Sequence, residues 1–244
     1  MPAAPDLQPP PQPRHVIVTG ASRGIGHAIA AAFLAAGDNV TTIDRQGSGN
    51  GALALVGDVT DTASINAAFD QAEAAFGPVQ VLVANAGATR DGLAMRMSDE
   101  DFAAVIDTNL AGAFRCARRA VGSMVRARRG AIVLIGSVVG LGGGAGQANY
   151  AASKAGLVGL ARALTREVGG RGITVNVIAP GFIETDMTAG LGEKRRSEVL
   201  AAVPAGRLGL PDDVAAAAVF LASPGAAYVS GAVLPVDGGL GMGH

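Results

Sequence analysis

The chain has 244 residues, 49% of them hydrophobic and 16% charged, with a net charge of −1. This length and composition suit one large domain with a sizeable core, and the near-neutral balance excludes a broad cationic footprint for nucleic acid. A single cysteine, Cys116, excludes an intramolecular disulfide framework and any cysteine-rich metal site, and no apolar run is long enough to cross a membrane.

Residues 1–14 are mostly Pro, Ala and Gln without an apolar period, and are expected to form a disordered or polyproline-like tail ahead of one domain spanning 15–244. They lack the basic-then-apolar layout of a secretory signal, so a cytoplasmic protein is expected. From His15 onward short aliphatic runs alternate with Ala-rich helical patterns. The runs predict strands over 15–19, 40–44, 53–57, 80–84, 131–136, 173–179 and 232–236, and the patterns predict helices over 24–36, 62–76, 99–127, 148–169 and 212–222. Such alternation implies βαβ units and an α/β fold with a doubly wound parallel sheet, the Rossmann fold. The stretch 184–210 is less regular and suits an inserted substrate lid. Scarce aromatics and 36 glycines imply an aliphatic core with close backbone approaches. Cys116, in a helical apolar setting, reads as an inert thiol, and Arg126, Arg128 and Arg129 as a solvated helix end.

The first strand runs into Gly20-Ala21-Ser22-Arg23-Gly24-Ile25-Gly26 and then a helix. Glycines placed there allow a tight turn and let a pyrophosphate approach backbone amides at a helix N-terminus. The second strand ends at Asp44, whose carboxylate suits an adenosine ribose and repels a 2′-phosphate, favouring NAD(H). Arg45 and Arg23 suit a 2′-phosphate instead, favouring NADP(H). Asp58 at the next strand end is placed to hold the adenine amino group, with Val59 against the ring. Asn85-Ala86-Gly87, after the fourth strand, stands where the cofactor's ribose should cross. Each of these sites is also ordinary turn chemistry taken alone; together, in order at strand C-terminal ends, they mark one crevice.

Ser137 ends the fifth strand, and Tyr150 and Lys154 follow four residues apart on one helical face. An ammonium beside a phenol is expected to lower its pKa, making Tyr150 a general acid toward a carbonyl oxygen that receives hydride. Ser137 is placed to hydrogen-bond the same oxygen, and Lys154 to hold the nicotinamide ribose. A lone Tyr-x-x-x-Lys would more simply be a pair of surface neighbours; the glycine turn and Ser137 argue against that here.

These motifs resemble the short-chain dehydrogenase/reductase family from His15 to the C-terminus, through T-G-A-S-R-G-I-G, N-A-G, Ser137, Y-A-A-S-K and Pro180-Gly181. The stretches around Ser137, Tyr150 and Pro180, and the ending Pro-Val-Asp-Gly-Gly-Leu-Gly-Met-Gly-His, are similar to the 3-oxoacyl-[acyl-carrier-protein] reductases, in particular actinobacterial ones. The resemblance implies NADPH-dependent reduction of an acyl thioester in fatty-acid synthesis. It implies that Asn109 holds a water linking Lys154 to solvent, and that Thr185, after Pro180-Gly181 and Ile183, caps the nicotinamide carboxamide. It also makes 184–200 a mobile substrate loop. Asp44 departs from the subfamily's NADPH use; NADP(H) is favoured narrowly, since Arg23 and Arg45 together offset one carboxylate. The rival enzyme is an NAD-dependent dehydrogenase of another secondary alcohol, and the rival non-enzyme a cofactor-binding regulator, which would need no proton relay. Arg128, Arg129 and Arg171 are expected to flank the cleft mouth and dock an acidic carrier protein. Ala151, Ala155, Gly156, Gly159 and Ala163 resemble the family's dimer-forming helix, and a homotetramer is expected.

Overall fold

Every aliphatic run becomes a strand: β1 His15–Thr19, β2 Asn39–Asp44, β3 Leu53–Val56, β4 Val81–Ala84, β5 Gly130–Ile135, β6 Ile173–Pro180 and β7 Val233–Val236. The computed structural model describes residues 13–185 and 192–242, without the side chains of 194–196. The strands pair in parallel in the order β3-β2-β1-β4-β5-β6-β7. β1 has β2 on one side and β4 on the other, so the winding reverses there and opens a crevice at the C-terminal strand ends. Central strands β1 and β4 are buried on both faces, which is why they read as unbroken aliphatic runs.

The helices are α1 Gly24–Ala35, α2 Thr62–Phe76, α3 Asp99–Ile106, α4 Gly112–Ala127, α5 Val139–Gly142, α6 Ala148–Val168, α7 Glu193–Ala202 and α8 Pro211–Leu221. Helices α2, α4 and α6 cover one face of the sheet, and α1 and α8 the other. Local chemistry sets several starts. The Asp61 carboxylate accepts the Ala63 amide at 2.9 Å ahead of α2, and the Ser98 hydroxyl accepts the Asp101 amide at 3.1 Å ahead of α3. Helix α8 opens on Pro211, whose missing N–H costs nothing in a first turn. The irregular stretch after β6 contains α7, which the sequence pattern does not announce. It rests on a small cluster of its own, Val199, Val203 and Leu208 against Phe182, Leu200 and Leu240. Residues 186–191 of the expected lid, like 1–12 of the expected tail, lie outside the described residues. Arg14, assigned to the tail by composition, is held by the domain: its Nε donates to Asp38 Oδ1 at 3.0 Å and its Nη1 to the Ala222 carbonyl.

One expected element is divided. The continuous helix over 99–127 is interrupted by a π turn at Asp107–Ala111, where the Gly112 amide reaches back to the Asp107 carbonyl. A Cβ on Gly112 would lie 2.8 Å from Val59 Cγ2, so the chain after β3 presses on this point. Arg115 braces it, donating to Asp107 Oδ1 at 2.7 Å and to the Val59 carbonyl at 3.1 Å. Apolar periodicity does not register one extra residue in an Ala-rich helix, and π turns of this kind concentrate at functional sites.

His15, 2% exposed, lies at the opposite edge of the sheet, its ring nitrogens 2.7 Å from the Gly77 carbonyl and 3.1 Å from Thr41 Oγ1. Burial holds its pKa below the ordinary 6.5, against the opposing pull of the Gly77 carbonyl and Glu73. As pH falls below that value the unfolded chain binds a proton that the folded chain resists, so stability declines there. Thermal melts between pH 7.5 and 5 should show a smaller loss of Tm for His15→Gln than for the native chain; parallel curves would exclude His15 as a source of the acid sensitivity.

Candidate active site

The glycine turn is shaped by contacts that admit no side chain. Gly20 and Gly24 have φ of 66° and 57°. A Cβ on Gly20 would lie 2.7 Å from Ala86 Cα, and one on Gly26 would lie 2.3 Å from the Gly20 carbonyl oxygen. The turn therefore lies directly against the segment following β4. Ser22, Arg23 and Ile25 complete it, and α1 starts with neither a side-chain cap nor an acidic residue in its first turn. Its leading amides are thus left to an anion at the crevice. On the far side, Gly181 packs on Asp237, Pro180 accepts the Val138 amide at 3.0 Å, and Ile183 is buried beside Gly209. The chain then returns toward the turn, with Thr185 Cγ2 3.4 Å from where a Gly24 Cβ would be.

At the adenosine end, Asp44 Oδ1 accepts the Gln46 amide at 3.2 Å, and Arg45 is exposed. Asp58 Oδ1 accepts the Thr60 amide and hydroxyl at 2.9 and 2.7 Å; these bonds, with weaker help from Arg45 and Arg115, hold its carboxyl below the usual range. Val59 is largely buried against Gly112. A glycine cradle, uncapped amides and a carboxylate at the end of β2 fit a nicotinamide dinucleotide. One expectation changes. The Nδ2 of the Asn85 amide is committed within the fold, donating to the Thr19 and Gly20 carbonyls at 3.0 and 2.8 Å. It ties the β1 turn to the end of β4, while the Thr19 hydroxyl accepts the Asn85 and Ala86 amides, each at 3.1 Å.

Ser137, Tyr150, Lys154 and Asn109 come together beside Gly87. A Cβ on Gly87 would be 3.3 Å from Asn109 Oδ1 and 3.5 Å from Lys154 Nζ. Ser137 Oγ accepts the Val139 amide at 3.1 Å and hydrogen-bonds the Tyr150 phenol. Lys154, 5% exposed, donates from Nζ to the Ile135 carbonyl at 2.8 Å and lies 5.5 Å from the Tyr150 ring centroid. The expected lowering of the Tyr150 pKa by Lys154 is not what this cleft gives. Burial raises the phenol above its ordinary 10, Asp91 adds to the rise, and only the Ser137 hydrogen bond opposes it. Burial also pushes the Lys154 ammonium down to about 8, leaving a group able to exchange protons near neutrality.

Asn109 is 1% exposed in the π turn. Its Oδ1 accepts the Ala88 amide at 2.8 Å, and its Nδ2 donates to the Ala88 carbonyl and Ser153 Oγ, both at 3.0 Å. Ser153 in turn donates to the Tyr150 carbonyl at 2.8 Å. Thr19, Ser153 and Asn149 are supporting residues that sequence reasoning missed, because small polar residues next to a motif carry no signal of their own. Cys116 is buried, its thiol pushed up to about 12, and is inert as expected.

The docking arginines are a correction. Arg128 and Arg129 immediately precede β5, and Arg171 precedes β6, whereas Ser137 and Pro180 stand at the other ends of those strands. All strands run parallel, so within one chain these cations occupy the edge of the sheet opposite the cleft. Arg128 Nη2 there donates to the Gly170 carbonyl at 3.3 Å. Gly156 also leaves the expected dimer stripe, since a Cβ on it would lie 2.7 Å from Leu110 inside the fold.

The family described as Enoyl-(Acyl carrier protein) reductase matches residues 20–241. The 3-oxoacyl-[acyl-carrier-protein] reductase FabG of Escherichia coli is 52% identical over 237 residues, 93% of this chain and 96% of its own length. The reductase MabA of Mycobacterium tuberculosis H37Rv is 50% identical over 238 residues, 97% of this chain and 96% of its own. The chain belongs to the short-chain dehydrogenase/reductase family. As a member it is an oxidoreductase that uses a nicotinamide cofactor. Among the described residues no helix is long and apolar enough to cross a membrane.

The depressed Lys154 pKa has a measurable cost. Moving from 10.5 to about 8 means that the folded protein releases this proton more readily than the unfolded chain. The cost of the buried ammonium, about 3 kcal/mol, is therefore full below pH 8 and fades as pH rises toward 10.5. Lys154→Met should raise Tm at pH 7, with the advantage shrinking by pH 9.5, while turnover collapses. A Tm below the native value at every pH would contradict this account.

Proposed function

We propose that the protein reduces the 3-oxo group of an acyl thioester carried on acyl-carrier protein, using NADPH, to the 3-hydroxyacyl thioester of fatty-acid synthesis or elongation. The observation that carries this reading is the convergence of Ser137, Tyr150 and Lys154 at the strand ends beside the glycine cradle. The relatives at about half identity over nearly the whole chain are named as 3-oxoacyl reductases, and they outweigh the enoyl label of the broader family.

When bound, the nicotinamide would supply the hydride that the carbonyl carbon accepts. Tyr150 gives its proton to the carbonyl oxygen, and Ser137 orients that oxygen by a hydrogen bond. A phenol with a raised pKa stays protonated until the oxygen acquires charge. Lys154 holds the nicotinamide ribose and returns a proton to Tyr150. The Asn109 side chain is committed to Ala88 and Ser153, so the water assigned to it is held by its main chain, in the π turn where the regular helix ladder is broken. Gly20, Ser22, Arg23, Gly24, Ile25 and Gly26 hold the pyrophosphate; Asp58, Val59, Ala86 and Gly87 line the adenosine and ribose; Pro180, Gly181, Ile183 and Thr185 close over the nicotinamide. NADPH is preferred because Arg45 is exposed and Arg23 stands in the turn, while Asp44 already accepts its own loop's amide. The second reading, NADH with another secondary alcohol, rests on Asp44 at the end of β2. Residues 184–210 act as the substrate lid, and their described part from α7 to Leu208 packs on a separate cluster of its own.

A homotetramer is supported by two apolar faces. Ala155, Gly159 and Ala163 of α6 are exposed, as is Phe114 of α4, and Phe220 and Tyr228 are exposed in and after α8. Antiparallel pairing along α4 and α6 would set the helix-end arginines of one protomer beside the partner subunit's Tyr150. Carrier docking by these arginines therefore requires a second subunit. Arg128→Glu with Arg171→Glu should raise KM for the carrier-bound substrate and spare acetoacetyl-CoA, and equal loss on both would exclude it.

Oxidation of NADPH and NADH with acetoacetyl-CoA tests the main reading. Faster turnover with NADPH, and a fall of roughly 10²–10⁴-fold for Tyr150→Phe with cofactor binding kept, are expected. Turnover with NADH alone would put Asp44 in control, and an active Tyr150→Phe would overturn the proton-donor assignment.

A further inference from the structure

Asn149 is fully buried next to Tyr150 in the first turn of α6, where main-chain amides have no partner within the helix. The Gln147 side chain does not cap this end. The Asn149 side chain does part of that work from inside the turn: its Oδ1 accepts the Tyr150 amide at 2.7 Å. Its Nδ2 points the other way, donating to the Arg90 carbonyl at 2.8 Å and, more weakly, to the Asp101 carbonyl at 3.4 Å. One amide therefore joins α6, the segment after β4 and α3.

The same two segments are laced together at neighbouring points. Gly92 donates its amide to the Gly146 carbonyl at 2.8 Å, and Gln147 Nε2 donates to Asp91 Oδ2 at 3.1 Å. On the other side of Tyr150, Ser153 links its carbonyl to Asn109, which holds Ala88. Both main-chain ends of Tyr150 are thus tied, through two buried asparagines, to residues 88–92. That segment continues directly from Asn85-Ala86-Gly87, which lies against the glycine turn.

We propose that Asn149 is a positioning residue that sets Tyr150 at a fixed height over the cofactor crevice, with Asn109 as the opposing tie. The proposal rests on the reading of Tyr150 as proton donor. Asn149 touches no reacting atom; it acts through the Tyr150 main chain and the Arg90 carbonyl. Losing it leaves a first-turn amide and a loop carbonyl without partners and lets the first turn of α6 move against the cofactor site. The glycine turn that holds the cofactor's phosphates is built from β1, α1 and the end of β4, none of which Asn149 touches, and should survive the change. Small displacements of this kind are costly to a proton transfer that needs hydrogen-bond contact.

The test compares native enzyme, Asn149→Ala, Asn149→Asp and Tyr150→Phe, measuring kcat and KM with acetoacetyl-CoA and NADPH binding by fluorescence titration. Asn149→Ala should lose at least tenfold in kcat, with KM and the NADPH dissociation constant changed less than threefold. Asn149→Asp is nearly isosteric but, when ionised, faces carbonyl oxygens with no donor. It should be impaired at pH 8 and recover relative to the native enzyme by pH 6, as a protonated carboxyl donates to Arg90 again. Arg90 and Asp91 of the loop, Asp101 of α3, and Tyr150 and Lys154 of α6 are the titratable groups around it, and the buried setting favours the protonated form. Native kcat in both variants, beside an inactive Tyr150→Phe, would overturn the proposal. So would an Asn149→Asp profile parallel to the native one, even if Asn149→Ala fails to fold. An active Tyr150→Phe would instead remove the reading on which the proposal rests.

Discussion

The close approach of two strand ends, β1 and β4, organises the rest of the molecule. Where the sheet winding reverses, the turn after β1 lies on the backbone of Ala86 at Gly20 and against the Asn85 side chain at Gly26, at distances only glycine permits. Thr19 and Asn85 fasten the two sides with four hydrogen bonds to main-chain groups. The pyrophosphate cradle is therefore a by-product of close packing at the switch point. The segment leaving it, residues 88–92, is what Asn109 and Asn149 hold.

From that segment the constraints run outward through buried amides. Asn109 reaches it because the α3–α4 helix contains one residue too many for a regular ladder, and the surplus turns an amide inward. Asn149 reaches it from α6. Between them Tyr150 is fixed along the main chain, while the Ser137 hydroxyl hydrogen-bonds its phenol. Burial acts on these groups in opposite senses: it holds the proton on the phenol and loosens it on the lysine. A phenol that keeps its proton, beside a lysine that releases one near neutrality, is the order of affinities that the proposed proton transfer uses. It is bought with an ammonium buried at some cost to stability.

Charge elsewhere is arranged for the fold more than for the site. Arg14, Arg115 and Arg119 each hold carboxylates or carbonyls that join separate elements, with Arg119 bridging Asp70 and Glu73 at 2.7 Å each. The helix-end cations lie far from the cleft in their own chain. Any role for them in binding an acidic carrier depends on a second subunit.

The residues by themselves determined the strand order of events along the chain, the glycine turn, and the Ser137, Tyr150 and Lys154 set. Strand periodicity, glycine geometry and helical spacing are local properties, readable over a few residues. What only the tertiary structure decided is non-local. The π turn sits where Val59 packs on Gly112, and Asn85 reaches carbonyls across the switch point. The place of the arginines follows from parallel strands that put their starts and ends on opposite edges. The sign of the Tyr150 shift was likewise out of reach, since burial, which outweighs the Ser137 hydrogen bond here, is a property of the packed molecule.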